Sequence, residues 1–147
     1  MKAVVQRVNS ASLYVDNTLI SKIKKGFVVY FCVERGDSEE RLAYFTKKIS
    51  KLRVFEDENE KMNLSLNDVG GEILLVSQFT LAGNVEHGYR PSFTNAEEPK
   101  RAEELYLKLA ENLNQVIPTK TGVFGADMKI EQENDGPVTI IIWVFKS

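Results

Sequence analysis

The sequence predicts an α/β fold: a single layered domain spanning residues 1–147, with elements in the order β(2)-(βα)2-β(3). Two continuous apolar runs, FVVYFCV at 27–33 and EILLVSQFTL at 72–81, have strand length and read as strands buried on both faces. Each run is followed, after a connector, by apolar residues at helical spacing. Shorter valine-rich segments stand at the two ends of the chain. At 147 residues the chain buries roughly 68–70% of the surface its unfolded form exposes, so it builds a core without staples. No repeat, low-complexity tract or linker marks a boundary, and 43% hydrophobic with 27% charged residues excludes disorder and collagen.

Residues 2–8, KAVVQRV, and 11–16, ASLYVD, read as two short strands, after which Asp16-Asn17 turns the chain into LISKI. Gly26 opens the first buried strand. Asp37 or Ser38 then caps a helix whose core stripe is Leu42, Phe45, Ile49 and Leu52. Lys47, Lys48 and Lys51 lie off that stripe, as a solvated face or as a patch for RNA phosphate. EDENEK is a polar connector, and Gly70-Gly71 precedes the second buried strand. The stretch 82–99, AGNVEHGYRPSFTNAEEP, is a long loop, and loops of that size are usually functional. Pro99 fits the first turn of a second helix with Ala102, Leu105, Tyr106, Leu109 and Leu113 on its apolar face. The remainder reads as two strands, TGVFGADMKIEQE and PVTIIIWVF, joined through a tight turn at NDG.

Charge and composition narrow the function. Nineteen basic against twenty-one acidic residues give a net charge of −2, so no global basic field advertises nucleic acid and any such contact uses a local patch. The single Cys32, inside an apolar run, rules out an internal disulfide and any CxxC metal site and suits a reducing compartment, with the cytoplasm as the expected location. The opening MKAVVQRVNSASLYVD alternates and lacks the pattern of a signal peptide, and no apolar stretch approaches 18 residues, so no membrane association is expected. With His87 the only histidine, a His-rich zinc site cannot be built and no metal is required. His87 is either a solvated loop residue or a binding or basic group.

Ser77-Gln78-Phe79-Thr80 ends the second buried strand, where ligands of open α/β sheets gather. A Ser-Gln pair at the end of a buried strand either bonds the scaffold or faces a pocket. Thr80 acts as a nucleophile only with a base, and the sequence places none beside it. A site so poor in titratable groups can hold an activated ester and present backbone N–H groups to the developing oxyanion. Gly136-Pro137 reads as the end of a hairpin turn, or as a cis X-Pro bond that aims backbone carbonyls outward.

Taken together, MKAVVQRV at the start, FEDENEKMNLSLNDVGGEILLVSQFTL, GYRPSF, TGVFGADM and NDGPVTI resemble the D-aminoacyl-tRNA deacylase family of the D-Tyr-tRNA deacylase type, over residues 1 to about 141. The resemblance implies a homodimer that hydrolyses the ester joining a D-amino acid to the 3′ end of tRNA, for translation quality control, with glycyl-tRNA as a further substrate class and no organic cofactor. It places Ser77, Gln78, Phe79 and Thr80 in the catalytic motif and Gly136 and Pro137 in a Gly-cis-Pro motif. The resemblance further implies that this loop enters the partner's pocket, where its carbonyls bar L side chains, and that hydrolysis is RNA-assisted, the terminal 2′-hydroxyl helping to activate water. Gln78 positions substrate or oxyanion, N–H groups around Phe79 and Thr80 donate to the oxyanion, and Phe79 packs on the terminal adenine. Arg7 either braces the Gly-Pro loop or is an ordinary surface arginine. Phe124, Ala126 and Met128 line the pocket or pack the core.

Two features depart from the family pattern. Cys32 stands where glycine is usual, and the tail IIWVFKS is more apolar than the common ending, making Trp143 or Phe145 candidates for a dimer contact. Two rival readings stand beside this one. One is a non-catalytic RNA- or protein-binding module on the same scaffold. The other is a hydrolase of a different small ester or amide that uses Thr80 covalently.

Overall fold

In the computed structural model, which describes residues 1–144, the chain begins with β1 (Lys2–Val15), β2 (Thr18–Ile23), β3 (Gly26–Cys32) and α1 (Arg41–Lys51). β4 (Phe55–Glu56), β5 (Met62–Leu64), α2 (Leu66–Val69) and β6 (Glu72–Ser77) follow. A 3-10 turn (Phe79–Ala82), α3 (Pro99–Asn114), β7 (Thr119–Thr121) and β8 (Lys129–Trp143) complete it. The class is the mixed α/β one expected.

β1 is the strand around which the sheet is built. One of its edges pairs antiparallel with β8 from Lys2 to Tyr14. The other is shared by β3, opposite Lys2–Val8, and β2, opposite Ala11–Val15. β3, β6 and β7 continue in parallel. The sheet then curls back on itself. Ser21 Oγ on β2 donates to the Thr121 carbonyl on β7 at 2.5 Å, and Lys120 Nζ donates to the Lys22 carbonyl at 2.7 Å. Gly26 permits the tight start of the β3–β6 pair, because a Cβ there would lie 1.9 Å from the Glu72 carbonyl oxygen.

α1 and α3 pack on one face, where Val5, Phe27, Val29, Phe31, Ile73 and Leu75 meet Leu42, Phe45, Ile49, Leu105, Leu109 and Leu113. Val8, Ala11, Leu13, Ile23, Val28, Leu74 and Val76 form a second cluster inside the curl. β3 and β6 are therefore buried on both faces, which is why their sequences are continuously apolar and not alternating. Tyr106 belongs to the core, its hydroxyl donating to the Leu75 carbonyl at 2.6 Å. Pro99 does begin α3, with the Glu98 side chain accepting from the Arg101 N–H as a cap.

Several boundaries differ from expectation. The two short opening strands are one 14-residue strand, in which exposed Asn9 is accommodated by a register shift against β8 and donates to Glu133 at 2.9 Å. The strands placed on either side of NDG are likewise one 15-residue strand, and with the short β7 two strands follow α3 in place of the three of the expected order. An uninterrupted β1 offers a ladder along the whole of β8, which makes a bulge available where the local residues favour a turn. EDENEK is not an open connector: β4 and β5 form a hairpin closed by Asp57, whose Oδ1 accepts from the Asn59 and Lys61 N–H groups at 2.8 and 3.1 Å. Neither Asp37 nor Ser38 caps α1, which starts at Arg41 behind Glu40 with no side-chain cap. The Asp37 carboxylate is instead buried on the Met1 amine at 2.5 Å, the Glu34 N–H at 2.7 Å and Arg41 Nη1 at 2.9 Å.

Candidate functional site

β6 delivers its polar residues to the mouth of a cavity. The strand ladder persists to Gln78, whose N–H donates to the Phe31 carbonyl at 2.8 Å, and the chain then tightens into the 3-10 turn. At the start of such a turn the first N–H groups have no intrahelical acceptor. Ser77, Gln78 and Phe79 form one wall of a cavity of about 490 Å³. Ala96, Glu97, Pro99 and Ala102 form a second wall. Phe124, Ala126 and Met128, from the segment between β7 and β8, form the third. Of the two readings of Ser77-Gln78, the pocket-facing one matches this placement.

The loop leading to α3 is closed on itself at a neck and pinned to the scaffold at its far end. Asn84 and Ser92 exchange backbone bonds at 2.8 and 2.9 Å, closing a neck, and Arg35 and Glu97 N–H groups bond the carbonyls of Asn95 and Val33 at 2.9 and 3.0 Å. Phe93 then meets Phe79 edge to face, with centroids 5.2 Å apart. Phe79 remains 59% exposed, so one face of its ring is free to stack. His87 stands outside this arrangement, its side chain 95% exposed beside Glu86.

Thr80 does not line the cavity. It is exposed, and its hydroxyl receives a hydrogen bond from Gln78 Nε2. That pairing orients the Gln78 amide and supplies Thr80 with no base. Cys32 is not a nucleophile waiting nearby: burial first, then Glu34, pushes its thiol up to about 11, and Sγ lies 3.7 Å from the Phe79 carbonyl oxygen as a weak donor. Asp127 and Glu97 are the acidic residues of the cavity wall, and Glu97 is clamped at the entry to α3. The Glu98 N–H at 2.8 Å, followed by Arg101 at 2.6 Å, holds its carboxyl below the usual range, so it is ionised. Nothing in the sequence pointed to Glu97, because only folding of the loop onto β3 places it there. Among the described residues no group of three or more His, Cys, Asp or Glu side chains gathers, and no helix is long and apolar enough to cross a membrane.

Gly136 and Pro137 lie elsewhere on the surface. β8 pairs Asn134 with Val8 and Thr139 with Gln6, so Arg7 alone faces the four residues Asp135–Val138, which loop out as a wide bulge. This replaces the hairpin turn expected at NDG. Gly136 adopts φ +121°, its bond to Pro137 is cis, and both residues are exposed and absent from the cavity wall. Beneath them Arg7 is 3% exposed and is no surface arginine. Its Nε lies 3.3 Å from the Asp135 carbonyl and 3.1 Å from the Asp135 carboxylate, Nη1 donates to the Val54 carbonyl at 2.6 Å, and Nη2 meets Glu56 at 3.3 Å. Lys47, Lys48 and Lys51 are exposed on α1. Trp143 is half exposed with Lys2 Nζ 4.8 Å over its ring, whereas Phe145 lies outside the described residues.

Fold and site together define a mixed α/β protein with an apolar cavity, a polar strand end at its mouth, and a backbone bulge, bonded by Arg7, outside the cavity wall. Residues 4–143 match the family model described as D-Tyr-tRNA(Tyr) deacylase. A D-aminoacyl-tRNA deacylase of Persephonella marina is 56% identical over 142 residues, covering 97% of each chain, and that of Magnetococcus marinus is 51% identical, covering 95% and 94%. The chain belongs to the D-Tyr-tRNA deacylase family, whose members are hydrolases acting on ester bonds. Among solved structures, a c-Myc DNA unwinding element binding protein superposes with TM-score 0.93 at 41% identity, covering 99% of this chain and all of that one. A probable eukaryotic D-amino acid tRNA deacylase shares the fold, with TM-score 0.80 at 18% identity, covering 96% and 97%.

Proposed function

We propose that this protein hydrolyses the ester between a D-amino acid and the 3′ end of tRNA, in the cytoplasm, as a homodimer whose sites each combine the cavity of one copy with the Gly136-Pro137 bulge of the other. The observation that carries the reading is the separation of the two motifs. Ser77, Gln78 and Phe79 line a cavity that Gly136 and Pro137 do not reach, and those two residues stand exposed on a braced bulge. A second copy supplies the missing wall in a two-fold arrangement, the commonest symmetry of small oligomers.

The chemistry follows from what the site lacks. Thr80 has no base, so water and not the threonine attacks the ester carbonyl, assisted by the 2′-hydroxyl of the terminal adenosine. The carbonyl carbon gains the water oxygen, the C–O bond to the ribose breaks, and the 3′-oxygen leaves with a proton, giving free amino acid and tRNA. N–H groups at the start of the 3-10 turn receive the oxyanion, and Gln78, oriented by Thr80, positions the acyl group. The exposed ring of Phe79, backed by Phe93, takes the adenine. Phe124, Ala126 and Met128 receive the aminoacyl moiety. Carbonyls of the bulge occupy the volume an L side chain would need, so the L-ester is refused by exclusion and glycyl-tRNA, having no side chain, is accepted.

The test is a set of matched time courses on D-Tyr-tRNA, L-Tyr-tRNA and glycyl-tRNA with chelator-treated protein, repeated on a D-ester carried by a 2′-deoxy terminus. Cleavage of the D- and glycyl esters, sparing of the L-ester and loss of rate without the 2′-hydroxyl are expected. Cleavage of the L-ester at a comparable rate would overturn the reading. Binding of nucleic acid alone is the other reading, prompted by the name of the c-Myc DNA unwinding element binding protein, and retained binding with none of the three esters cleaved would favour it.

A further inference from the structure

The face of β8 turned away from the helices carries a hydrogen-bond chain with no part in the chemistry above. Tyr30 on β3 donates its phenol hydrogen to Gln132 Oε1 at 2.7 Å. Gln132 Nε2 donates to Asn134 Oδ1 at 2.6 Å and to Gln6 Oε1 at 2.8 Å. Gln6 Nε2 in turn lies 3.5 Å from Thr139 Oγ1. Asn134 and Thr139 are the two feet of the bulge, the residues on either side of Asp135–Val138 that still pair with β1. The chain therefore ties one foot to the other through Gln132 and Gln6 on β8 and β1, with Tyr30 on β3 holding the branch point, Gln132.

Gln6 and Arg7 are neighbours on β1, so their side chains leave opposite faces of the sheet. Arg7 holds the Asp135 carbonyl from the helix side, while Gln6 and Gln132 hold the feet from the other. Gly136 and Pro137 are exposed, and their backbone is held by these anchors together with the neighbouring Val138 side chain, which is buried in the main core. Burial raises the Tyr30 phenol above its ordinary range, so it stays a donor at neutral pH.

We infer that Gln132 and Tyr30 are positioning residues for the chiral filter: they fix the spacing of the feet of the bulge, and through it the direction in which the Gly136-Pro137 backbone meets the substrate. The inference rests on the bulge being the element that excludes L-esters. Misplacement of a positioning group by about 1 Å costs on the order of 100-fold in enzymatic rate, so a foot that slackens by a fraction of that has a measurable consequence. The ladder itself is held by backbone bonds, so loss of these side-chain bonds relaxes the bulge without opening the sheet.

The test compares Gln132→Leu, Tyr30→Phe and Gln132→Glu with Gly136→Ala, reading the ratio of D-Tyr-tRNA to L-Tyr-tRNA hydrolysis, KM and kcat separately, and the thermal midpoint. Gln132→Glu keeps the acceptor for Tyr30 and loses both donated bonds. The expected result is a ratio lowered about fivefold or more in Gln132→Leu and Gln132→Glu, the scale of a lost hydrogen bond, and by less in Tyr30→Phe, with KM for the D-ester nearly unchanged. If Gly136→Ala lowers the ratio and the Gln132 and Tyr30 variants keep that of the wild type, the inference is wrong and the reading of the bulge stands. If Gly136→Ala folds and leaves the ratio intact, the bulge is not the filter and both fail. Should Gln132→Leu fail to fold, Tyr30→Phe and Gln132→Glu decide by the same ratio.

Discussion

The end of β6 and the middle of β8 both interrupt a strand, and they do so in opposite ways. At Gln78 the ladder stops, the chain tightens into a 3-10 turn, and the freed polar groups face a cavity. At Asp135–Val138 the ladder resumes beyond the interruption, and four residues leave it opposite a single arginine, with Gly136 and Pro137 exposed. A strand end creates a place to bind, whereas a bulge creates a rigid feature to insert. In the proposed enzyme the two features belong to different copies, and neither is complete alone.

The sharpest way to break the contrast is to release the bulge from beneath. Arg7→Ala removes the donors to the Val54 carbonyl, Asp135 and Glu56. Because the two carboxylates are 37% and 53% exposed and can turn to water, the expected cost is about 2–3 kcal/mol in urea unfolding, with turnover of the D-ester reduced well beyond tenfold. Gly136→Ala acts from above: its Cβ would lie 2.9 Å from Val138 Cγ2 at a φ that L residues avoid, so about 1–3 kcal/mol of strain is expected together with loss of discrimination. At the strand end, Phe79→Ala should spare the fold and weaken the hold on RNA, raising KM by about tenfold or more, since stacking on an aromatic is worth ~1–3 kcal/mol. Thr80→Val should keep turnover within about threefold in single-turnover assays, whereas a covalent threonine would lose it entirely.

The smallest effect concerns Cys32. Its folded thiol is pushed up to about 11, above its value in the unfolded chain, so its contribution to stability is complete below about pH 8.5 and is lost as pH rises toward 11. Cys32→Ala should flatten the alkaline limb of a stability-against-pH curve over that window. Iodoacetamide at pH 8 should leave the native thiol untouched.

Much of this was legible in the sequence where one physical signal dominates. Doubly buried strands announce themselves as unbroken apolar runs, and Pro99 with the stripe through Leu113 marks α3. The position of Ser77-Gln78-Phe79 at a strand end likewise points to a cavity. NDG is different, because its residues favour a turn in isolation and only the length of β1, itself misread as two strands, turns them into a bulge. Asp37 was hidden for a similar reason: a capping residue by local chemistry, it is taken by the Met1 amine, a contact made by folding. Glu97 and the Tyr30–Gln132 pair come from segments distant in the chain, and no periodicity links them to the site.

The central claim, that each site joins one copy's cavity to the other copy's bulge, is tested most directly by mixing two disabled chains. Gln78→Ala damages the cavity and Arg7→Ala, by releasing Asp135, the bulge, so each homodimer is impaired in D-ester turnover at every site. When the two are unfolded together and refolded at equal amounts, a shared arrangement gives mixed dimers with one site assembled from undamaged parts, and D-Tyr-tRNA hydrolysis returns to about a quarter of wild type. A mixture no more active than the separate variants would contradict the account.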